Sequence, residues 1–466
     1  MEEIETEEKE ETQITNEGSM QERGTNGTDV EEGETMREPE ETQMEERENN
    51  REMEVAPALI AVHPFDKSVA VAVGSDLRVF DLARKISISL ADDSRDLLHK
   101  DCIRAVRFSG RGQLFVSAGD DKLVKIWDAD TWKCLATVNS EKRVSAVSIS
   151  KNELFVCFAD KFGVVWAVSL DGLNKIQASC NKKAVPILAH YCSIITCLDF
   201  SPDGRFIISA DRDFKIRVTV FPENPLNGAH EIQSFCLGHS EYVSSLAVVH
   251  NSDYPQGFLL SGGGDSTVRM WDINSGSLLC TCEVGTEVGL SNEPHAAVTD
   301  LCAPHGTLVA VAIQSFPGIL LLGCDISAKA LWVLKAVSFP GETLVPTSLG
   351  ASSSAELLWT VTGVSNLPEF KASSCLSRVR VFSGFKKTDG TINSELSLLL
   401  DREVPGGEKL LEKLQGGVSS KEIEVISAAA ADAVRAAMRD LLLKKQYTEE
   451  RREFRKRRRN DRKLKR

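Results

Sequence analysis

The chain has 466 residues, of which 42% are hydrophobic, and a formal net charge of −13. It is therefore long enough to bury a large core and has the apolar content of an ordinary globular protein. No apolar run approaches the roughly 18 residues that a membrane-spanning helix needs, and the first residues are acidic, unlike those of a secretory signal peptide. We expect an intracellular protein without a membrane segment.

The charge is concentrated at the two ends of the chain. Residues 1–54 contain 21 Asp/Glu and 5 Lys/Arg, whereas residues 451–466 contain 11 Lys/Arg and 2 acidic residues. Residues 1–54 also contain few apolar side chains, so they cannot bury enough surface to offset the entropy lost on ordering. The sequence predicts a disordered acidic N-terminal segment.

Three segments of the chain repeat one pattern. Ser117, Ser209 and Ser261 are each followed four residues later by an aspartate, seven residues later by Val or Ile, and eight residues later by Lys or Arg. The aspartates are Asp121, Asp213 and Asp265. Such self-similarity indicates a repeat architecture, and each unit has the alternation of a β-hairpin with the aspartate in its turn.

The full pattern of His, Ser, Asp and then Trp-Asp resembles the blades of WD-repeat β-propellers. In such a set the polar groups satisfy one another's hydrogen bonds inside the blade. Two complete sets and one that lacks its Trp are predicted: His239, Ser261, Asp265 and Trp271; His99, Ser117, Asp121 and Trp127; and His190, Ser209 and Asp213, where Thr219 replaces the Trp.

Taken in chain order, the strand-like segments predict an all-β fold, a seven-bladed WD-repeat propeller, with six or eight blades as alternatives. Ala58–Val62 is expected to join the last blade and close the ring, which would remove an exposed sheet edge. A hairpin at 68–80 is followed by blade-like segments with two degenerate copies at the end. These segments are 83–140, 141–185, 186–237, 238–285, 296–337 and 345–383.

The C-terminal part loses the strand pattern. Gly406-Gly407 and Gly416-Gly417 are expected in turns or linkers, and Lys421 to Tyr447 has the apolar spacing of a helix. The predicted organisation is therefore a disordered acidic segment (1–54), a β-propeller (55–400), and a linker, helix and basic tail (401–466).

Two runs, one in the fourth predicted blade and one at its boundary with the fifth, carry a more specific resemblance. HYCSIITCLDFSPDGRFIISADRDFKIRVT is followed after a short spacer by SFCLGHSEYVSSL. This pair of runs, in this order, resembles the WD-repeat non-catalytic subunit of the tRNA (guanine-N7) methyltransferase, and ADKFGVVW at 159–166 resembles a turn of the same family. The resemblance covers about half of the chain.

The resemblance implies a scaffold that binds and stabilises a separate catalytic subunit as a heterodimer. That partner, and not this chain, is expected to bind S-adenosylmethionine and to form 7-methylguanosine in the variable region of tRNA. No cofactor or metal is expected here. In the family, the contact with the catalytic subunit includes the basic residue that ends the KIR run, which is Arg217 in this sequence.

The turn before Arg217 departs from the family. Many relatives have an acidic residue, paired with a cation of the partner, where this chain has Phe214. Phe214 is interpreted either as an apolar anchor for the partner or as a side chain that packs on its own blade. Arg212 and Lys215 are either further partner contacts or solvated turn residues.

The basic tail has two functional interpretations. Clustered cations are typical of nuclear import signals and of phosphate contacts with tRNA. The tail residues concerned are Arg455, Lys456, Arg457, Arg458 and Arg459. Localisation to the nucleus is the expectation, and an unstructured solubilising tail is the alternative.

Little in the sequence indicates catalysis. There is no G-x-S-x-G or H-E-x-x-H motif, and Gly262–Gly264 lies between two strands, as a turn would. The twelve cysteines show no C-x-x-C pairing and are interpreted as reduced core residues. The chain is therefore not expected to be an enzyme. The main alternative function is a generic WD-repeat adaptor in a ubiquitin ligase or chromatin complex.

Overall fold

The structure is a computed structural model of the chain. It describes residues 56–90, 98–172, 182–190, 193–286, 296–303, 307–339, 345–354, 356–365, 376–384 and 396–415. The predicted disordered segment (1–54), the predicted helix at 421–447 and the basic tail lie outside the described residues.

The described chain forms seven antiparallel sheets, so the predicted seven-bladed propeller is confirmed. Blades 1 to 6 each contain four strands in sequence order, and blade 7 contains four such strands together with a short N-terminal strand that pairs with its second strand. Blade 1 comprises β2 (Leu59–Val62), β3 (Ser68–Val73), β4 (Asp76–Asp81) and β5 (Ile86–Ile88). Blade 2 comprises β6 (Ile103–Phe108), β7 (Leu114–Gly119), β8 (Leu123–Asp128) and β9 (Cys134–Asn139). Blade 3 comprises β10 (Val144–Ile149), β11 (Phe155–Asp160), β12 (Val164–Ser169) and β13 (Val185–Ala189).

The later blades follow the same order. Blades 4 and 5 comprise β14 (Ile195–Phe200), β15 (Phe206–Asp211), β16 (Lys215–Val220) and β17 (Ile232–Leu237); and β18 (Val243–Val249), β19 (Phe258–Gly263), β20 (Thr267–Asp272) and β21 (Leu278–Glu283). Blades 6 and 7 comprise β22 (Val298–Cys302), β23 (Leu308–Ile313), β24 (Gly318–Asp325) and β25 (Ala330–Ser338); and β26 (Ser348–Ala351), β27 (Leu357–Ser365), β28 (Leu376–Ser383) and β29 (Ser397–Leu398).

The first strand of each blade faces the centre of the ring. Each of these strands contacts the first strand of the next blade, and β26 contacts β2, so the contacts run around the whole circle. They line a central channel of about 630 Å³. Each blade of the ring lies between two neighbours. Side chains from both faces of its sheet therefore pack against the adjacent sheets and form the hydrophobic core.

The ring closes through a shorter strand than the sequence predicted. β1 (Ala56–Pro57) pairs with the end of β27, with Ala56 opposite Ser365, and β26 pairs with the other end of β27. The prediction that Ala58–Val62 joins the last blade was wrong for Leu59–Val62, which pairs with β3 as the first strand of blade 1. Of the predicted segment, Ala58 does bond to blade 7, through its N–H to the carbonyl oxygen of Gly363 at 2.9 Å. One extended stretch therefore serves two blades, and its first three residues close the ring.

A helix strengthens this junction. α1 (Gly407–Leu414) buries Leu410, Leu411 and Leu414 in the cluster that contains Phe80 of blade 1 and Val379 of blade 7. At its end, the carbonyl oxygen of Leu414 accepts hydrogen bonds from Ser377 Oγ at 2.9 Å and Arg78 Nη1 at 3.3 Å. Packed structure thus continues past residue 400, where the sequence placed the end of the propeller.

The helix was not predicted, since Gly406-Gly407 indicated a turn. Gly406 does adopt a left-handed conformation, with φ of 92°, but it directly precedes the helix. Among the described helices, none has the length and apolar character that a membrane span requires.

The two faces of the ring carry different connections. The turns between the second and third strands of each blade lie on one face, here called the hairpin face, and include residues 120–122, 161–163, 212–214 and 264–266. The turns between the first and second strands, such as 63–67, lie on the opposite face because strand direction alternates within each blade.

Candidate functional site

The hairpins of blades 2, 4 and 5 are built on buried polar networks. In blade 5, Trp271 Nε1 donates to Ser261 Oγ at 2.8 Å, and Ser261 Oγ lies 2.7 Å from His239 Nε2. His239 Nδ1 lies 3.0 Å from both carboxylate oxygens of Asp265. A carboxylate only accepts, so His239 donates from Nδ1, and Nε2 in that tautomer accepts from Ser261.

The network fixes the ionisation of its aspartate. Burial by itself raises the pKa of Asp265, but hydrogen bonds from His239, Thr267 and the Ser240 N–H outweigh it and hold the pKa at about 2. Blade 2 repeats the arrangement: His99 lies 2.8 Å from both Asp121 and Ser117, and Trp127 Nε1 donates to Ser117 Oγ at 3.0 Å. The structure therefore brings each predicted complete set together.

The third set differs from the prediction. His190 lies 2.7 Å from Ser209 Oγ, but its Nδ1 bonds Asp211 at 2.9 Å and not Asp213. The assignment of Asp213 to this set was therefore wrong. Blade 4 has Asp211 at the strand end where blades 2 and 5 have Gly119 and Gly263. The carboxylate at that position already reaches the histidine.

Asp211 also shapes the hairpin turn that follows it. Its Oδ1 accepts hydrogen bonds from the backbone N–H groups of Asp213 at 2.8 Å and Lys215 at 3.0 Å. The turn then reverses at Phe214, which has a positive φ of 71°. The buried histidine network is thus continuous with the turn that carries the predicted partner contacts.

Arg217 lies in the third strand of blade 4, against the neighbouring blade. Its Nε donates to Thr219 Oγ1 and its Nη1 to the carbonyl oxygen of Ala189, the last residue of β13, each at 3.1 Å. Both acceptors are neutral, and among the residues that the structure describes no carboxylate pairs with Arg217. Burial lowers the pKa of its guanidinium.

The residue at the equivalent position of blade 5 is a useful contrast. Arg269 donates from Nε to Thr267 Oγ1 at 3.1 Å, much as Arg217 does to Thr219, but its Nη2 also pairs with Asp265 at 3.4 Å. A half-buried cation without a carboxylate is unfavourable unless a partner supplies one. Arg217 is therefore the cation of this pair that is available to bind an acidic group.

Two further cations surround the same turn. Lys215 is exposed, and Arg212 is partly buried with an Nε that has no hydrogen-bond partner in the described part of the chain. Neither side chain forms an ion pair with a described residue. With Arg217 they make a cation-rich surface at the hairpin face of blade 4.

The same surface carries exposed apolar side chains, two of which the sequence analysis missed. Phe214 is 43% exposed and belongs to none of the hydrophobic clusters of the described core, so part of its ring is accessible to a partner. Phe235 and Leu237 in β17 are 44% and 61% exposed and pair across the sheet with Arg217 and Lys215. The alternation in SFCLGH could have revealed both residues, because Cys236 faces the core and its two neighbours in the strand must face outward.

One group elsewhere has the composition of a metal site. The ligand atoms of Asp101, Cys102 and Asp120 lie within 4.8 Å of one another. Arg104 Nε, however, donates to Asp120 at 2.7 Å, and burial raises the pKa of the Cys102 thiol. A guanidinium in contact and a protonated thiol both disfavour a cation, so these residues do not fit a metal ion.

Comparisons with known proteins agree with this geometry. The family model described as "tRNA methyltransferase TRM82 WD40 domain" matches residues 185–377, which include the whole of blade 4, and a WD domain model matches residues 96–128.

Curated relatives carry the same name. The tRNA (guanine-N(7)-)-methyltransferase non-catalytic subunit wdr4 of Dictyostelium discoideum is 31% identical over 50% of this chain and 50% of its own length. The Danio rerio subunit is 34% identical over 50% of this chain and 53% of its own length. The Xenopus laevis subunit is 28% identical over 68% of this chain and 78% of its own length. The chain spans about half the length of the first two relatives.

Solved structures support the fold. The WD40 repeats of RRP9 superpose with a TM-score of 0.54 at 16% identity, covering 70% of this chain and 94% of that one. A structure of U3-55K gives 0.55 at 17% identity, covering 70% and 95%. The predicted resemblance is thereby confirmed: the chain is a WD-repeat propeller, residues 185–377 match the TRM82 WD40 family model, and the chain is similar to non-catalytic subunits of tRNA (guanine-N7) methyltransferases.

Proposed function

We propose that this chain is the non-catalytic subunit of a heterodimeric tRNA (guanine-N7) methyltransferase. It binds and stabilises a catalytic subunit through blade 4 and is required for 7-methylguanosine formation in the variable region of tRNA. The observation that carries the proposal is Arg217, a half-buried cation that bonds only neutral acceptors within the described chain, inside the segment that matches the TRM82-type domain.

The chemistry of the surface supports a protein partner over a substrate. Arg212, Lys215 and Arg217 offer three cations beside the exposed ring of Phe214. Such a mixture of cations and an aromatic side chain is typical of an interface core and its border. We assign methyl transfer, and the S-adenosylmethionine that it uses, to the partner.

The experiment is capture of the tagged chain with the catalytic subunit from the same organism. We expect a one-to-one complex from the wild-type chain. Arg217→Glu should weaken it strongly, because the reversed charge repels the acidic group that Arg217 would pair with, while the thermal unfolding temperature stays nearly unchanged. Lys133→Glu, an exposed charge reversal on the opposite face, is the matched control and should bind like the wild type.

Two outcomes would contradict the proposal. If the wild-type chain captures no catalytic subunit, a generic WD-repeat adaptor in a ubiquitin ligase or chromatin complex becomes the better account. If Arg217→Glu and Lys133→Glu bind equally well, the contact lies away from blade 4.

The basic tail is proposed to serve nuclear import through the cluster from Arg455 to Arg459, and to contribute phosphate contacts once the complex holds tRNA. Deleting residues 451–466 should reduce nuclear accumulation of a fluorescently tagged chain. It should also flatten the salt dependence of tRNA binding by the complex, since fewer counterions would be released. An unchanged distribution and an unchanged salt dependence would contradict both roles.

A further inference from the structure

The backbone at the tip of the blade 4 hairpin is in a conformation that phenylalanine rarely adopts. Phe214 has φ of 71°, in the left-handed region that favours glycine. The equivalent residues in blades 2, 3 and 5 are Lys122, Gly163 and Ser266, with φ of 65°, 84° and 59°. The turn therefore imposes this conformation, and blade 3 shows that glycine satisfies it.

Packing in the described core does not account for a large aromatic side chain at this position. The Phe214 ring is exposed and belongs to none of the hydrophobic clusters of the described core. An exposed, strained aromatic contributes little to folding, whereas an exposed aromatic at an interface supplies a large contact area at a small cost in conformational entropy.

The outer strand of the same blade adds to the apolar surface. β17 exposes Ile232, Phe235 and Leu237, while every other outer strand exposes at most one large apolar side chain among the residues that the structure describes. Phe235 pairs with Arg217 and Leu237 with Lys215. Directly paired residues project from the same face of a sheet, so the two apolar side chains lie beside the two cations.

We propose that Phe214, Phe235 and Leu237 form an apolar anchor surface for the catalytic subunit. The surface takes an apolar side chain of the partner, and Arg217 and Lys215 at its border take carboxylates that flank it. The occupant is thus an acidic segment with an exposed apolar residue, because Arg212, Lys215 and Arg217 outnumber Asp211 and Asp213 at this turn, and Asp211 is bonded to His190. This inference rests on the proposed function and specifies the chemistry of its interface.

The decisive variant is Phe214→Gly, because it should lower the affinity for the partner without lowering the stability of the fold. Glycine relieves the positive φ, so the unfolding temperature should stay the same or rise by up to about 3 °C. Loss of the ring should weaken binding of the catalytic subunit by about 10-fold or more, because a few aromatic side chains carry much of the binding energy of an interface. Phe235→Ser with Leu237→Ser should also weaken binding and leave folding intact, since both side chains are exposed.

Two matched controls isolate the ring and its position. Lys122→Gly relieves the same backbone conformation in blade 2 and should leave affinity unchanged. Phe65→Ser removes a ring that is 61% exposed on the opposite face, and it too should leave affinity unchanged. Affinity is measured by calorimetry with the purified catalytic subunit, and stability by thermal unfolding of the chain alone.

The inference fails if Phe214→Gly binds as tightly as the wild type, or if it unfolds many degrees lower, which would make the ring structural. It also fails if Phe65→Ser weakens binding as much as Phe214→Gly. The proposed function fails separately, when the wild-type chain itself does not bind the catalytic subunit.

Discussion

Arg217 Nη1 donates a hydrogen bond to the carbonyl oxygen of Ala189 at 3.1 Å, so a cation of blade 4 is held against the outer strand of blade 3. The contact orients the guanidinium but leaves its charge uncompensated within the described chain. A side chain that is positioned before binding loses less conformational entropy when the partner arrives. The inter-blade contact thus prepares Arg217 for an acidic group.

This arrangement predicts that the two equivalent arginines differ in their contribution to stability. Arg217→Met removes only bonds to neutral acceptors and should change the free energy of unfolding by less than about 1 kcal/mol. Arg269→Met removes an ion pair with buried Asp265 and should cost about 1–2 kcal/mol. Chemical denaturation of both variants tests the difference, and a larger loss for Arg217→Met would show that this residue serves the fold.

The buried polar network of blade 5 predicts that its tryptophan contributes strongly to stability. Trp271 is fully buried and bonded to Ser261, so Trp271→Ala should lower the free energy of unfolding by about 3–5 kcal/mol. Trp332, which is 37% exposed on an outer strand, is the control and should lose far less on the same substitution. A loss below about 1 kcal/mol for Trp271→Ala would contradict the role of the network.

The two aspartates near His190 should differ in their contribution to stability. Asp211→Ala would leave buried His190 without its carboxylate and the turn without its acceptor, at a cost of about 2–3 kcal/mol. Asp213→Ala keeps both of those contacts and should cost clearly less. Urea unfolding of the two variants distinguishes them, and equal losses would restore Asp213 to the set.

The junction of blades 1 and 2 should be sensitive to acid. Buried His63 lies with Nε2 2.9 Å from the carbonyl oxygen of Gly112, and its Nδ1 accepts the Phe65 N–H at 3.0 Å. Burial, assisted by Lys67, lowers the pKa of His63 below 6.5, although Gly112, Asp66 and Asp130 oppose the shift. Well above pH 6.5, neither the folded nor the unfolded state is protonated at this group.

As the pH falls below about 6.5, the unfolded state takes up the proton first, so the stability contributed by neutral His63 is lost progressively. The free energy of unfolding should therefore fall between pH 7.5 and 5.5 more steeply in the wild type than in His63→Gln. Denaturation at several pH values measures both slopes. Identical slopes would show that His63 is not the titrating group.

Helix α1 should be essential to the closed ring, because β1 contributes only two residues to closure. Leu410→Ala and Leu414→Ala remove fully buried side chains between blades 1 and 7, and each should cost about 2–4 kcal/mol. Lys409→Ala, on the exposed side of the helix, is the control. If all three variants unfold alike, the helix is not part of the stable ring.

Much of the architecture could be predicted from the sequence, because the repeat spacing of Ser117, Ser209 and Ser261 reports the strand pairing directly. The closure strand was misplaced, since Leu59–Val62 is apolar enough for either blade and only the register reveals that Ala56–Pro57 pairs with β27. α1 was missed because glycines normally mark turns, and its burial depends on residues more than 300 positions earlier in the chain.

The candidate site was predictable only in part. Arg217 followed from its position in the repeat and from the family resemblance, but its missing carboxylate became apparent only beside Arg269. Whether Phe214 packs on its own blade depends on tertiary contacts, which local sequence does not determine. Phe235 and Leu237 looked like ordinary strand residues until the register placed them next to the cations.

The most direct test of the account is methyl transfer into unmodified tRNA by the purified catalytic subunit, measured with and without this chain. We expect 7-methylguanosine at the variable region only when the chain is present, and no transfer by the chain alone. Arg217→Glu should reduce the yield in proportion to its loss of binding. Equal methylation in the presence and absence of the chain would contradict the central claim.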